Sequence, residues 1–380
     1  MRFDAEHLRG RALTRLETLV MAESPSGEPE LLQIVNADLE QAYRALGARI
    51  SRDTGPHGDH LICEWPGDGA PSDGHILLIG HSDTVLPVGT TAERPFRLHD
   101  DKDTVTGPGV YDMKGSLVAI ELAFALLREH GLAPRRPVRL VVVNDEEIGS
   151  PDGRRVIAAQ AEGAVAALGF EPPLPGGALK TGRRGVARVR IDVRGVEAHA
   201  GLDASLGTSA IDELIDQIAA VRGAVPAPPA AEFNIGTISG GTRANVVAGA
   251  ARAELGLRFA TPVAEAAVLG ALDALAPVRA GAEVTVTRLS YRPAWERDPA
   301  NPLAAHLASL AAELGLDLAT GTSGGAGDTN LTGALGIPTV DGLGPDGAGA
   351  HSMAERASIN SLLARAALLA AYLTTPEESA

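Results

Sequence analysis

The sequence predicts an α/β protein with an inserted α+β domain, on three observations. Residues 75–80 (HILLIG) and 138–143 (VRLVVV) are near-continuous apolar runs, the pattern of strands covered on both faces by helices. Residues 186–194 (VARVRIDVR) and 251–259 (ARAELGLRF) instead alternate apolar and polar side chains, as half-exposed strands of an antiparallel sheet do. Around this second pair the elements read β-α-β-β-α-β, the order of a ferredoxin-like unit.

The buried-type strands alternate with helical stretches at 114–130 (KGSLVAIELAFALLREH) and 152–161, which argues for a central sheet flanked by helices. In 186–194, Ala187, Val189, Ile191 and Val193 share one face, and Arg188, Arg190, Asp192 and Arg194 the other. In 251–259, Ala253, Leu255, Leu257 and Phe259 alternate with Arg252, Glu254 and Arg258. A helix at 207–222 and a strand at 232–238 follow the first of these. A strand at 246–259, a helix at 262–276 and a strand at 282–288 complete the unit. Such a unit needs only one covered sheet face, so it can be inserted into another domain. It is placed at 184–291, between segments 1–183 and 292–380, which form the first domain together. Helices near 300–314 and 357–372 mark the return, and 224–231 (AVPAPPAA) reads as a loop inside the insert.

The 380 residues carry a formal charge of −15. A binder of phosphate backbone needs a basic face, so nucleic acid is not expected as a partner. An acidic balance suits a site that collects divalent cations. The single cysteine, Cys63, leaves no intrachain disulfide to rely on. The start, MRFDAEHLRG, has no apolar signal region, and ILLIG and AALLAAYL are too short to span a bilayer. A soluble cytoplasmic protein without a membrane partner is expected.

Candidate site residues cluster where strands end. His81 and Asp83 in GHSDTV lie two apart just after 75–80. In extended chain they point the same way, so Asp83 can hold the second ring nitrogen of a metal-bound His81; a plain polar turn reads equally well. Asp112, in GPGVYDMKGS, precedes the helix at 114–130 and is either a helix cap or a ligand. Asp145, Glu146 and Glu147 follow strand 138–143; exposure to solvent or bound cations would relieve their repulsion. Glu171 follows the apolar segment 164–170, and His351 lies in the Gly-rich GAGAHSMAE. Two histidines and several carboxylates with no cysteine are the donor set of a catalytic divalent-metal site, and the C-terminal ends of parallel strands are where α/β sheets place sites.

With these motifs in view, the chain resembles the co-catalytic zinc peptidases that include glutamate carboxypeptidase, acetylornithine deacetylase and succinyl-diaminopimelate desuccinylase. The matching segments are GHSDTVLPVGT (80–90), GPGVYDMKGS (107–116), NDEEIGS (144–150), GFEPP (169–173) and EAHAG (197–201). GGTRANVV (240–247), YRPAW (291–295), GGAGDTN (324–330) and GAHSMAE (349–355) continue the match in the same order over nearly the whole chain. The closest likeness is to the glutamate carboxypeptidase branch.

The resemblance implies a zinc-peptidase-like metal-binding domain with an inserted ferredoxin-like dimerisation or lid domain. It implies two zinc ions per subunit, with cobalt or manganese able to use the same ligands. Asp112 would bridge the metals; His81 and Glu171 would complete one site, Glu147 and His351 the other. Glu146 would be the general base acting on a bridging hydroxide, and Asp83 would orient His81. A cis peptide after Asp112 is also implied. Within extended chain, Glu146 and Glu147 would point apart, one to the water and one to a metal. His199 would reach the other subunit's site to stabilise an oxyanion, which implies a homodimer through the inserted domain. Arg292, helped by Asn245 and the backbone near Gly325, would bind a substrate carboxylate through its planar fork. Arg258 is either a contact to an acidic side chain or one more polar residue of its strand. Gly327, Thr329 and Ser116 depart from the residues common at their positions.

The resulting expectation is metal-dependent hydrolysis of an amide bond, releasing a C-terminal, glutamate-like amino acid from a small amide or peptide with a free carboxylate. An N-acyl amino acid deacylase of the acetylornithine deacetylase or desuccinylase type is the alternative. A dinuclear phosphoesterase would use the same donor set, but no P-loop or basic cluster adjoins the ligand loops. A non-catalytic metal-binding relative would have no use for Glu146.

Overall fold

A computed structural model of the protein describes residues 5–68 and 74–375. The chain forms two compact units: Met1–Gly182 with Arg297–Ser323 and Gly327–Ala380, and Arg183–Glu296 with Gly324–Ala326. The first unit opens with helices α1 (Ala5–Met21) and α2 (Pro29–Ala45) and the strands β1 (Arg49–Gly55) and β2 (Gly58–Trp65). It continues with β3 (His75–His81), α3 (Thr90–Glu93), β4 (Arg97–Leu98), β5 (Thr104–Thr106) and α4 (Lys114–Glu129). Then follow β6 (Val138–Val143), α5 (Gly153–Ala161), β7 (Ala164–Gly169) and β8 (Leu179–Arg183). The second unit holds β9 (Gly185–Arg194), α6 (Ala210–Ala224), β10 (Ala231–Gly240), β11 (Ala250–Phe259), α7 (Pro262–Asp273) and β12 (Glu283–Arg292). The return to the first unit adds α8 (Pro302–Glu313), β13 (Thr320–Ser323), α9 (Thr329–Ala334) and β14 (Thr339–Val340). It ends with β15 (Gly347–Ala348), β16 (Arg356–Ser358) and α10 (Ile359–Thr374).

The main sheet of the first unit runs β1-β2-β6-β3-β7-β14. Strands β6, β3, β7 and β14 are parallel, and the β1–β2 hairpin joins β6 antiparallel. The apolar runs are buried as their composition requires: every residue of β3 is buried, and in β6 only Arg139 is partly exposed. Helix α4 is buried from Lys114 through Leu127, the state of a helix that is apolar nearly all round. Its one acid there, Glu121, meets Arg15 at 2.9 Å, and Arg15 also meets Asp38 at 2.6 Å. Trp65 stacks on Phe124 of the same helix and takes the edge of Tyr43. Parallel pairing in register (His81 opposite Val143, Ile79 opposite Gly169) brings the C-terminal ends of β3, β6 and β7 to one edge.

The second unit is one antiparallel sheet in the order β10-β11-β9-β12. The alternation holds: Ala187, Val189, Ile191 and Val193 of β9 and Ala253, Leu255, Leu257 and Phe259 of β11 are buried. With Leu214, Ile218 and Val221 of α6 and Val268 and Leu272 of α7 they make one core. Element order and strand order are those of a ferredoxin-like fold. Several boundaries differ from the sequence expectation, and helix α7, expected to reach 276, ends at Asp273. Helix α6 begins at Ala210, because Ser209 caps it by accepting the Asp212 N–H. Strand β11 begins at Ala250, because Asn245–Gly249 turn, and Val246 bridges to His199 instead. Strand β12 runs on to Arg292, which pairs with Val186.

Candidate metal centre

Strand β3 delivers His81 and, just beyond it, Asp83. Both are buried. His81 Nδ1 lies 2.9 Å from the Asp83 carbonyl oxygen and 3.3 Å from its Oδ1. The Asp83 carboxylate also accepts the N–H groups of Glu146 and Glu147, at 3.2 and 3.1 Å, and the Ser26 hydroxyl at 2.6 Å. One buried carboxylate thus ties the loop after β3 to the loop after β6. Behind it, the Ser82 hydroxyl lies 2.9 and 2.6 Å from the Asn36 and Asn144 side-chain oxygens, with one O–H to give between them, all three residues being buried.

Asp112 does not cap α4; the residue at the cap position is Met113, and it makes no side-chain cap bond. The Asp112–Met113 peptide is cis, as the resemblance implies. Each Asp112 oxygen faces a different histidine: Oδ1 lies 3.2 Å from His81 Nε2, and Oδ2 lies 3.3 Å from His351 Nε2. Beyond the first pair, Glu171 Oε1 is 3.8 Å from His81 Nε2; beyond the second, Glu147 Oε2 is 3.0 Å from His351 Nε2. The ligand atoms of His81, Asp112 and Glu147 lie within 4.8 Å of one another, and so do those of His81, Glu146 and Glu171. A cavity lined by His81, Glu146, Glu171, Asp328 and Thr329 opens here.

The local backbone around the bases differs from expectation. Glu146–Ile148 is a 3-10 turn, not extended chain. In this turn Glu147 groups with His81 and Asp112, and Glu146 with His81 and Glu171.

Charge in this cluster is far from its usual balance. Burial first, then the neighbouring Asp112 carboxylate, pushes the Glu147 carboxyl up to about 8, against the opposing histidines. Burial opposes ionisation of Asp112, but bonds to His351 and His81 hold it well below the ordinary carboxylate range. His351 is raised to about 9, chiefly by its bond to Asp112. His81 is raised as well, although burial works against its charge, because Asp112 and Asp83 both accept from it. Glu147 Oε1 is buried with no hydrogen-bond partner among the described residues. A buried oxygen of that kind is costly unless something cationic faces it, and an imidazole and carboxylate set without thiolate suits divalent cations. The residues therefore fit the two-cation group that the resemblance implies.

The remaining site candidates belong to the second unit. His199 is exposed, and its Nδ1 accepts the Gly201 and Leu202 N–H groups. Asn245 is exposed in a turn, and its carbonyl accepts the Ala200 N–H. Arg292 is half-buried at the end of β12, and Arg258 of β11 donates to the Gly324 carbonyl at 3.1 Å. The Gly325 carbonyl accepts from Arg183 at 2.9 Å. These bonds explain why Gly324–Ala326 clusters with the second unit. Arg292 and Gly325 therefore fall there, not in the flanking segments to which the sequence reading assigns them.

Sequence reasoning assigned no role to Glu355, Asp341, Ser82 or Asn144. Asp341 is buried and accepts the Glu171 N–H at 3.3 Å and the Thr329 hydroxyl at 3.0 Å. The signal for Glu355 is its place four residues after His351, at the end of the matching segment GAHSMAE (349–355).

Residues 77–375 match the model of peptidase family M20/M25/M40, and the chain belongs to that family, which makes it a hydrolase of the peptidase or amidohydrolase kind. Among its relatives, carboxypeptidase G2 of Pseudomonas sp. (strain RS-16) is 29% identical over 350 residues, 89% of this chain and 82% of the relative. A succinyl-diaminopimelate desuccinylase of Acidovorax ebreus is 27% identical over 340 residues, 83% of this chain and 86% of the relative. The crystal structure of a tripeptidase from Staphylococcus aureus shares the fold, with a TM-score of 0.75 at 23% identity, over 96% of this chain and 98% of that one. Among the described residues, no helix is long and apolar enough to cross a membrane.

Proposed function

We propose that the protein is a two-metal carboxypeptidase that cleaves an amide bond and releases a C-terminal, glutamate-like amino acid. The observation that carries the reading is Asp112 set between two histidine–carboxylate pairs, His81 with Glu171 and His351 with Glu147. His81, Glu171 and Asp112 would hold one cation; His351, Glu147 and Asp112 would hold the other, zinc being the metal that the family likeness favours. When bound, such cations polarise the scissile carbonyl and acidify the attacking water.

Glu146 takes the proton of that water and passes it to the leaving amine. Its carboxylate is grouped with His81 and Glu171 while its own N–H is held by Asp83, so base and ligands share one anchor. Arg292, with Asn245 and the Gly325 backbone, binds the substrate carboxylate. His199 stabilises the oxyanion across a homodimer formed through the second unit. Arg258 contributes to side-chain preference.

The test is Glu146→Ala. Metal content should stay at the wild-type level while turnover falls by roughly 10²–10⁴; undiminished turnover would remove Glu146 from the mechanism. The desuccinylase match favours a second reading, an N-acyl amino acid deacylase. Relative turnover of peptidyl-glutamate and N-acyl amino acids, N-succinyl and N-acetyl, on metal-replete protein decides between them.

A further inference from the structure

We infer that Glu355 is a positioning residue that sets the spacing of Asp112 and His351, and through it the geometry of one cation site. This rests on the metal-centre reading above. Glu355 is 2% exposed, at the end of the loop between β15 and β16 that carries His351. Its Oε1 accepts the N–H groups of Tyr111 and Asp112 at 2.9 and 3.0 Å, and its Oε2 accepts that of Gly109 at 2.8 Å. Both oxygens are thus occupied by backbone donors of the single loop that presents Asp112, so Glu355 acts on a ligand loop without being a ligand.

The two loops are also tied on the C-terminal side of this carboxylate, and the His351 loop is held separately by Arg94. Strand β16 begins at the next residue and pairs with β5, in register from Arg356 opposite Thr106 to Ser358 opposite Thr104. Arg94 donates to the Glu355 carbonyl and, at 3.3 Å, to the Ser352 carbonyl. Gly109 turns with φ +73°, where a Cβ would meet Thr84 Cγ2 at 2.9 Å, so the direction of its N–H is set by a conformation that suits glycine. The chain carrying His351 and the chain carrying Asp112 are therefore one clamped piece. Charge-assisted bonds from a carboxylate to N–H groups are the stronger kind, and losing an outer partner of a metal ligand typically costs about 10–100-fold in affinity.

Cobalt(II) titrated into metal-free wild type, Glu355→Gln and Glu355→Asp, followed by visible absorption and checked by far-UV circular dichroism, tests this. Glu355→Gln puts an amide N–H against that of Gly109. It should fold, bind cobalt about 10–100-fold more weakly and show a changed cobalt spectrum, an effect that mere stabilisation of the fold would not produce. A folded variant with wild-type affinity and spectrum overturns the inference while leaving the metal centre intact. Wild type that takes up no cobalt sinks the metal-centre reading, and this inference with it. If Glu355→Gln does not fold, Glu355→Asp, one methylene too short to reach all three donors, carries the same comparison. If neither folds, hydrogen exchange in metal-free wild type decides: slow exchange at Gly109, Tyr111 and Asp112 supports the clamp, and fast exchange refutes it.

Discussion

The two units differ in what their buried acids do, although both carry exposed ion pairs, such as Arg155 with Asp53 in the first. In the first, Asp83, Asp145, Asp341 and Glu355 are buried and accept backbone N–H groups of loops that follow or flank the parallel strands. In the second, several carboxylates stand on the wet face of the sheet or beside it and meet arginines: Asp192 with Arg190 and Arg252, Glu254 with Arg188, Asp273 with Arg288. Glu213 and Glu265 depart from this: Glu213 is buried and accepts the Val278 and Arg279 N–H groups, and the half-buried Glu265 accepts that of Ala294. Buried carboxylates that hold backbone fix loop geometry, because removing either partner strands a desolvated group. Exposed ion pairs contribute little and tolerate change. Sites that demand fixed geometry therefore belong to the first pattern.

The comparison can be broken in four places, in order of expected effect. Asp112→Ala removes the carboxylate facing both histidines; bound metal counted by mass spectrometry should collapse, with turnover lost alongside it. Retention of two cations would mean that Asp112 is not shared. Core truncations come next. Leu78→Ala in β3 and Ile191→Ala in β9 each remove a fully buried side chain and should cost about 2–5 kcal/mol. Calorimetry should show each lowering the transition of its own unit; a single transition shifted equally by both would contradict separate units.

Chelation follows. Stripping metal should destabilise the first unit alone, by about 2.7 kcal/mol relative to protein held at a hundred times its dissociation constant. An unchanged first transition would count against a metal centre there. The smallest effect is Arg252→Ala, which breaks an ion pair with Asp192 on the wet face and should cost no more than about 1 kcal/mol in a denaturant melt. A larger loss would mean that the face is covered in the working protein.

Much of this difference was legible in the amino-acid order. Continuous apolar strands announced a sheet buried on both faces, and alternation announced a half-wet one, because side-chain period reports burial directly. Position at strand ends and in Gly-rich loops marked the five proposed ligands only as candidates, each with a plain structural alternative; their roles as ligands came from the family resemblance. The amphipathic α1 and α2 and the β1–β2 hairpin were not read, although Leu8, Ala12, Leu16 and Leu19 fall on one buried helical stripe. Their pattern is plain only once the surface that covers it is known. The outer partners were the least legible. A carboxylate such as Glu355 or Asp341 works by accepting N–H groups from a segment far away in the chain, and nothing in its own neighbourhood records that. The 3-10 turn at Glu146 is similar, since three consecutive acids carry no strong preference for one turn type.

The most direct test of the central claim is anomalous diffraction at the zinc edge from crystals of the zinc-loaded protein. The account predicts two peaks flanking Asp112, one beside His81 and Glu171 and the other beside His351 and Glu147. A single peak, or peaks away from Asp112, would contradict it.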